Sequence, residues 1–340
     1  MSFKTFFKNE ASSDRIDWVD QVKGLTIFLV VYGHNFPFTE KYIYTFHMPL
    51  FFMISGFFHP KTSRVDDIKK RGKSLLVPYF IWSLFLFIFW FFVSSRFGES
   101  VALNLSPIEN FIGIFYSQGD RFYMDWGIPM WFLPGLFMTF LIFYWLQKIK
   151  SQFWFIFSLI TLPTIGALYA RNIPMNLPWS INIAMVALGF YAFGFYGFKI
   201  INAVSRKNSL FFAVGFCIVH FLTYNYNIKI DMYRAHYGNE SFFILSGITG
   251  SLFVLFFFKS LPYFPFLAFI GKFSLIILAL QLISMSFIKF VLLYGFHQSD
   301  FNFSEWKRFV FAILQIFLLV PSFFIINKYL PLLNGGYKKI

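Results

Sequence analysis

The chain has 340 residues, of which 58% are hydrophobic, 24% aromatic and 13% charged, with a mean hydropathy of +0.63. Soluble domains carry roughly 25% charged residues around one compact core, so this composition excludes an ordinary soluble globule; its hydrophobicity excludes disorder. The net charge of +14 is spread over several short loops rather than gathered into one basic domain, which argues against nucleic acid as a partner. The single cysteine, Cys217, lies in an apolar run, so no disulfide framework and no cysteine-based metal site is expected.

A bilayer core ~30 Å thick takes about 20 apolar helical residues to cross, at a rise of ~1.5 Å each. In chain order the sequence predicts ten such spans, near 18–36, 44–58, 75–94, 130–146, 153–170, 181–201, 210–225, 242–258, 273–293 and 309–326. The expected fold is an all-α polytopic membrane protein, residues 1–340 forming a single transmembrane domain. The second span is short and contains Pro49, which suits a helix buried among neighbours better than one facing lipid. Residues 1–17 hold scattered charges and no apolar run ending in a small-residue cleavage site, so they do not read as a cleaved signal peptide. With that stretch in the cytoplasm, ten spans return the C-terminus to the same side. Of the 29 Lys and Arg residues, Lys41, Arg96, Arg121, Arg171, Lys229, Arg234, Lys307 and Arg308 then fall on the outer face and Lys23 and Lys289 inside spans; all others are cytoplasmic, as the positive-inside rule requires. The longest connection, 95–129, carries Glu99, Glu109, Asp120, Arg121 and Asp125 and is expected on the outer face.

An ionisable side chain inside a span costs roughly 2.5–3.5 kcal/mol on insertion scales and points to a bundle interior or a water-filled cavity. The first span carries Asp20, Lys23 and His34. Lys23 and His34 are eleven residues apart, which at about 100° per residue returns to within ~20° of one face, ~16 Å further along. The stripe has two readings: a snorkelling lysine with a satisfied core histidine, or a polar path into the membrane. His47 opens the second span, and the short turn between the spans brings it near the same end as His34. Two imidazoles at one depth suit proton transfer at neutral pH. Ser55 and Gly56 suit close helix packing, and no base can be assigned to Ser55 as a nucleophile. The run Lys69-Lys70-Arg71-Gly72-Lys73 is either a topology anchor or a dock for the phosphates of a nucleotide-bearing donor. Gly72-Lys73-Ser74 lacks the earlier glycine of a P-loop, so ATP is not expected.

Taken together, Ile16-Asp17-Trp18-Val19-Asp20 through Lys23-Gly24 to Gly33-His34, then Phe46-His47-Met48-Pro49-Leu50-Phe51-Phe52 and Ser55-Gly56-Phe57, resemble the membrane acyltransferase 3 family, and within it the fucose 4-O-acetylase-like sugar O-acetyltransferases. Lys70-Arg71 to Leu76-Val77-Pro78-Tyr79, Met130-Trp131-Phe132-Leu133, the 188–194 stretch, Tyr237-Gly238-Asn239 and Ile270-Gly271-Lys272-Phe273-Ser274-Leu275 extend the likeness over most of the chain. The resemblance implies about ten spans and acetyl-CoA as co-substrate, with no permanently bound cofactor. It implies a carbohydrate acceptor in a bacterial surface polysaccharide such as O-antigen, or its lipid-linked precursor, and a place in the plasma (inner) membrane. The family's first-helix motif, an Arg followed after ten residues by a His, maps to Lys23 and His34; Lys23 lacks the bidentate fork. His34 is the implied general base, with Lys23 or Arg71 meeting the donor. Where many members carry a further His, this chain has Gln281, which departs from the pattern.

A sugar hydroxyl needs a base to attack a thioester, an effect worth ~10²–10⁴-fold. The expected assignment is His34 as base, His47 orienting it or polarising the thioester carbonyl, and Lys23, Lys69, Lys70 and Arg71 on the donor. Trp131, Tyr237 and Asn239 are expected on the acceptor, with ordinary polar loop as the alternative for each. The rival function is a transporter of a polysaccharide unit or an acyl donor; it predicts paired half-sequences with broken helices, and none is seen.

Overall fold

In lipid every backbone polar group has to be satisfied within its own segment, so long apolar stretches become helices. A computed structural model describes residues 16–62, 64–96, 99–298 and 300–336. The expectations for the N-terminal stretch through residue 15, including Lys4, Lys8 and Arg15, and for Lys338 and Lys339 lie outside the described residues. The protein is 79% helical and, among the described residues, has no strand beyond one isolated antiparallel bridge between Asp231 and His236.

In chain order the helices are α1 (Asp17–Gly33), α2 (Glu40–Tyr44), α3 (His47–Phe57), α4 (Val65–Phe92), α5 (Glu99–Ala102), α6 (Pro107–Tyr116), α7 (Arg121–Met124), α8 (Phe132–Leu146), α9 (Gln152–Asn172), α10 (Ile181–Ala203), α11 (Arg206–Tyr224), α12 (Glu240–Ser260), α13 (Pro265–Lys272), α14 (Ser274–Phe296) and α15 (Glu305–Tyr329). Among the described residues eight helices are long and apolar enough to cross a membrane, those built on α4, α8, α9, α10, α11, α12, α14 and α15. The other two expected spans correspond to α1 and α3, of 17 and 11 residues. Both lie inside the bundle: α1 packs on α3, α12, α13, α14 and α15, and α3 on α1, α10 and α12.

The boundaries differ from expectation where local chemistry decides. The first helix stops at Gly33 rather than Phe36, because the Asn35 amide turns back to the Val31 carbonyl at 2.9 Å, Phe36 takes φ 52° and Pro37 follows. Pro49 does not interrupt the second span; it sits in the first turn of α3, where its missing N–H has no helical partner to lose. The basic run 69–73 belongs to α4 itself, whose start at Val65 is set by the Arg64 amide donating to Asp67 Oδ2 at 3.0 Å. A separate short helix, α13, precedes the ninth span.

Connections gather at two opposite ends. At one, Phe38 N donates to Glu305, Lys41 to the Asn225 carbonyl, and Arg171 pairs with Glu240 at 2.6 Å. At the other, Gln21 accepts from Phe264 N, Arg206 donates to the Ser260 carbonyl, and Asn334 to that of Lys272. His34 and His47 lie toward the first, the histidine face; Lys23, Arg71 and Lys272 lie toward the second, the basic face.

Glycines let the central helices approach to backbone contact. A Cβ on Gly24 of α1 would stand 1.9 Å from the Leu267 carbonyl oxygen of α13, and one on Gly194 of α10 would stand 2.0 Å from the Met53 carbonyl oxygen of α3. Small residues at crossings are how membrane helices gain packing without a hydrophobic drive between them. Gly24→Leu and Gly194→Leu are each expected to lower the thermal midpoint of the detergent-solubilised protein, since overpacking costs ~1–3 kcal/mol or more. Gly189→Ala, with nothing within 4 Å of the added carbon, is expected to hold or raise it, measured by the same melt.

Candidate active site

One face of α1 presents Ile16, Asp20, Lys23, Ile27 and Val30 to a cavity of about 530 Å³. The alternating steps of four and three are the spacing of a single helix stripe, and the next position in that series is His34. On α3 the cavity is lined by Phe51, Ile54 and Phe58 together with Met48 and Ser55, and one step of four above Phe51 stands His47. Arg71, Ser74 and Leu75 of α4 face these stripes, with Phe132, Leu133 and Leu136 of α8 and residues 271–278 around α13 and α14 closing the wall. Asn334 and Gly335 fold back beside the mouth, held by the Trp82 indole donating to the Leu333 carbonyl at 2.9 Å. The cavity thus opens at the basic face and ends one turn short of the histidines.

The mouth is electropositive. Lys23 Nζ stands 3.7 Å from Asp20 Oδ1 and 4.9 Å from the centre of the Phe58 ring. Arg71 lies over Phe140 at 5.9 Å, and its Nε is buried with no hydrogen-bond acceptor. Lys272 completes the lining. Lys70 lies in an adjoining hollow of about 330 Å³ that shares Arg71 and Ser74 with the main cavity and also holds Asp67. Lys69 is exposed and lines neither; at ~100° per residue it stands about 200° around the helix from Arg71. Of the four residues expected at the donor, Lys23 and Arg71 are brought together, Lys70 is beside them and Lys69 is apart.

The two histidines share one hydrogen-bond pattern. His34 Nδ1 donates to the Val30 carbonyl at 2.7 Å and His47 Nδ1 to the Ile43 carbonyl at 2.9 Å. A carbonyl only accepts, so each Nδ1 carries the proton and each neutral ring keeps its lone pair on Nε2. Each ring is thereby oriented by the residue four positions earlier in its own chain. The pair lie within electrostatic reach of each other, and His34 within that of Glu40. His47 is 7% exposed, whereas His34 is more open. Beside them the Tyr44 ring lies tilted against His47 at 4.9 Å between ring centres, and Glu40 pairs with Lys229 at 2.7 Å. Gln281, one turn past the cavity-lining Leu278 on α14, is buried with its Oε1 unpartnered. An amide has no basic nitrogen, so it supplies no base where the resemblance would place one.

Of the four histidines that the sequence reasoning passes over, two are buried, His59 and His220. His59 uses both nitrogens, on the Tyr191 hydroxyl at 2.9 Å and Gln147 Oε1 at 3.1 Å. His220, fully buried, donates Nδ1 to the Ser246 carbonyl at 3.0 Å and turns Nε2 toward Thr45 Oγ1 at 3.4 Å. Both are cross-braces between helices. In sequence they give the same signal as His34, a lone imidazole among apolar residues, and only the partner of Nε2 separates them.

The residues expected at the acceptor do not form one cavity. Trp131 is buried edge-on to Phe132 and backs onto Gly119. Tyr237 is buried against Phe243, with its hydroxyl unpartnered. Asn239 caps α12, its Oδ1 accepting from Phe242 N at 3.2 Å. Near them burial lifts the Asp231 carboxyl to about 6, against the pull of Arg234 and Lys229.

A family model described as an acyltransferase domain, that of the acyltransferase 3 family, matches residues 16–328. No curated protein and no solved structure matches the chain.

Lys23, Arg71 and Lys272 place the cavity's mouth at the basic face. In a Cys217→Ser background, Ser55→Cys is expected to react with a membrane-impermeant maleimide added on that face, and Ser83→Cys, whose side chain is fully buried, to stay unlabelled. Equal labelling of the two, or labelling of Ser55→Cys from the histidine face alone, would contradict the described cavity.

Proposed function

We propose, since the chain belongs to the acyltransferase 3 family and is a membrane acyltransferase, that it moves an acetyl group from acetyl-CoA to a hydroxyl of a bacterial surface polysaccharide or its lipid-linked precursor. The observation that carries the reading is the α1 stripe, which runs from a basic mouth along a 530 Å³ cavity and continues, one turn past its lined end, to an imidazole that keeps its lone pair on Nε2. That volume is in the range of small-molecule sites. The anionic nucleotide of the donor meets Lys23, Arg71 and Lys70, and the unpartnered Arg71 Nε gains a phosphate oxygen. The pantetheine arm then runs the ~16 Å between Lys23 and His34.

One turn past Val30, the last α1 residue that lines the cavity, His34 Nε2 takes the proton of the sugar hydroxyl as the oxygen attacks the thioester carbonyl. The tetrahedral intermediate collapses with cleavage of the carbon–sulfur bond, and the departing thiolate takes the proton back from the imidazolium. His47, held in the same tautomer, has no N–H to offer the thioester oxygen while neutral. Its part is to accept a hydrogen bond from the sugar and fix the attacking oxygen. The basic face is the cytoplasmic one, where acetyl-CoA is made, and the histidine face looks outward from the inner membrane, so the donor need not cross.

In lipid nanodiscs with radiolabelled acetyl-CoA and lipid-linked glycans, His34→Ala is expected to lower label transfer by ~10²–10⁴-fold. Arg71→Ala is expected to raise KM for acetyl-CoA by about tenfold with a smaller effect on kcat, the loss of one charged hydrogen bond being worth ~1.5–3 kcal/mol. Equal transfer by the natural chain and His34→Ala would remove the base assignment; transfer to no glycan would remove the acceptor class.

A further inference from the structure

A second cavity, of about 500 Å³, opens on the histidine face and belongs to none of the machinery above. Three connections build it: the turn joining α6 to α7, the loop at 174–176, and residues 233–236 between α11 and α12. Asn176 locks them together, donating to the Gln118 carbonyl at 3.0 Å and the Tyr233 carbonyl at 2.8 Å while accepting from Asn182 at 2.9 Å. The walls are therefore set before anything binds.

Gln118 lines this cavity, is 2% exposed, and its Oε1 is buried with no hydrogen-bond partner. A buried acceptor left unmade is costly, and its natural complement is a donor arriving with a ligand. Around it stand the carboxylates of Glu109 and Asp120 and the rings of Tyr123 and Tyr233. Asp120 spends Oδ1 on the Phe122 amide and keeps Oδ2. Hydrogen-bond acceptors close to aromatic faces match a ligand that carries several hydroxyl donors on one side and C–H groups on the other, which is the chemistry of a sugar ring. Tyr233 is also within electrostatic reach of Tyr44, whose ring lies against His47 at 4.9 Å.

We propose that this cavity is a sugar-binding subsite, which holds one pyranose of the acceptor through Gln118 Oε1, Glu109 and Asp120 while the unit to be acylated extends past Tyr44 to the histidines. The proposal rests on the acyltransferase reading for its purpose, but binding in the cavity is testable without turnover.

The probes are the methyl glycosides of glucose, galactose, mannose, N-acetylglucosamine, rhamnose and fucose, each presented to the full chain in nanodiscs and read by saturation-transfer difference NMR. At least one is expected to give signal with the natural chain, to lose it at least fivefold with Gln118→Leu, and to keep it with His34→Ala. Glu109 is exposed, so Glu109→Gln leaves the fold alone and is expected to weaken the same signal severalfold. No signal from any glycoside, or signal unchanged in both Gln118→Leu and Glu109→Gln, overturns the subsite. In the transfer assay, an unchanged acceptor KM in those two variants overturns it while leaving the acyltransferase reading in place. Glycoside binding that depends on Gln118, with no acyl transfer to any glycan, supports the subsite and removes the acyltransferase purpose instead.

Discussion

A polar stripe on a membrane helix cannot face hydrocarbon, and most of this structure follows from hiding the one on α1. Asp20, Lys23 and His34 stand on one side of a 17-residue helix. Enclosure by α3, α12, α13, α14 and α15 removes that helix from lipid, and enclosure needs backbones to come close, hence the contact of Gly24 with α13. The long apolar helices serve as the outer wall: the membrane-length window of α9 is only 6% buried and that of α11 17%. A short central helix and long peripheral ones are thus two sides of one constraint, because a helix shielded by protein need not match the bilayer thickness that a lipid-facing helix must.

The same enclosure gives the histidines their chemistry. Each imidazole takes as its acceptor the carbonyl four residues earlier, and the lone pair is left on Nε2. His59 and His220 show the contrast. They meet side chains or carbonyls on neighbouring helices with both nitrogens and become struts. Reactivity here is therefore a matter of what a histidine's second nitrogen lacks.

Much of this was legible in the residues. Apolar run length gave the helices, because in lipid composition alone decides between helix and loop. The helical register from Lys23 gave the α1 wall of the cavity as far as Val30, because helical periodicity is rigid over a few turns; His34 lies one turn beyond. Helix ends were less legible: Phe36 adopting a left-handed backbone and Pro49 fitting the first turn of a helix are local backbone choices that hydropathy does not carry. The residues around the second cavity were the least legible. Trp131, Tyr237 and Asn239 are polar or aromatic residues in outer connections, as Gln118, Glu109 and Tyr123 are. What separates the groups is which of them the Asn176 and Asn182 hydrogen bonds turn toward open space, and such long-range bonds leave no periodic trace.

Buried polar atoms without partners tie the two halves of the site together. Arg71 Nε lines the cavity at the basic face, Gln118 Oε1 lines that at the histidine face, and Gln281 Oε1 stands one turn above the first cavity. Each costs ~1–3 kcal/mol in the unliganded protein, and none can be relieved by rotating a hydroxyl, as a serine or tyrosine can. The orphans have opposite chemistry: a donor at the mouth where an anion would enter, an acceptor on the side where hydroxyls would arrive. That polarity matches the two ligands of the proposed function, an anionic donor and a hydroxylic acceptor.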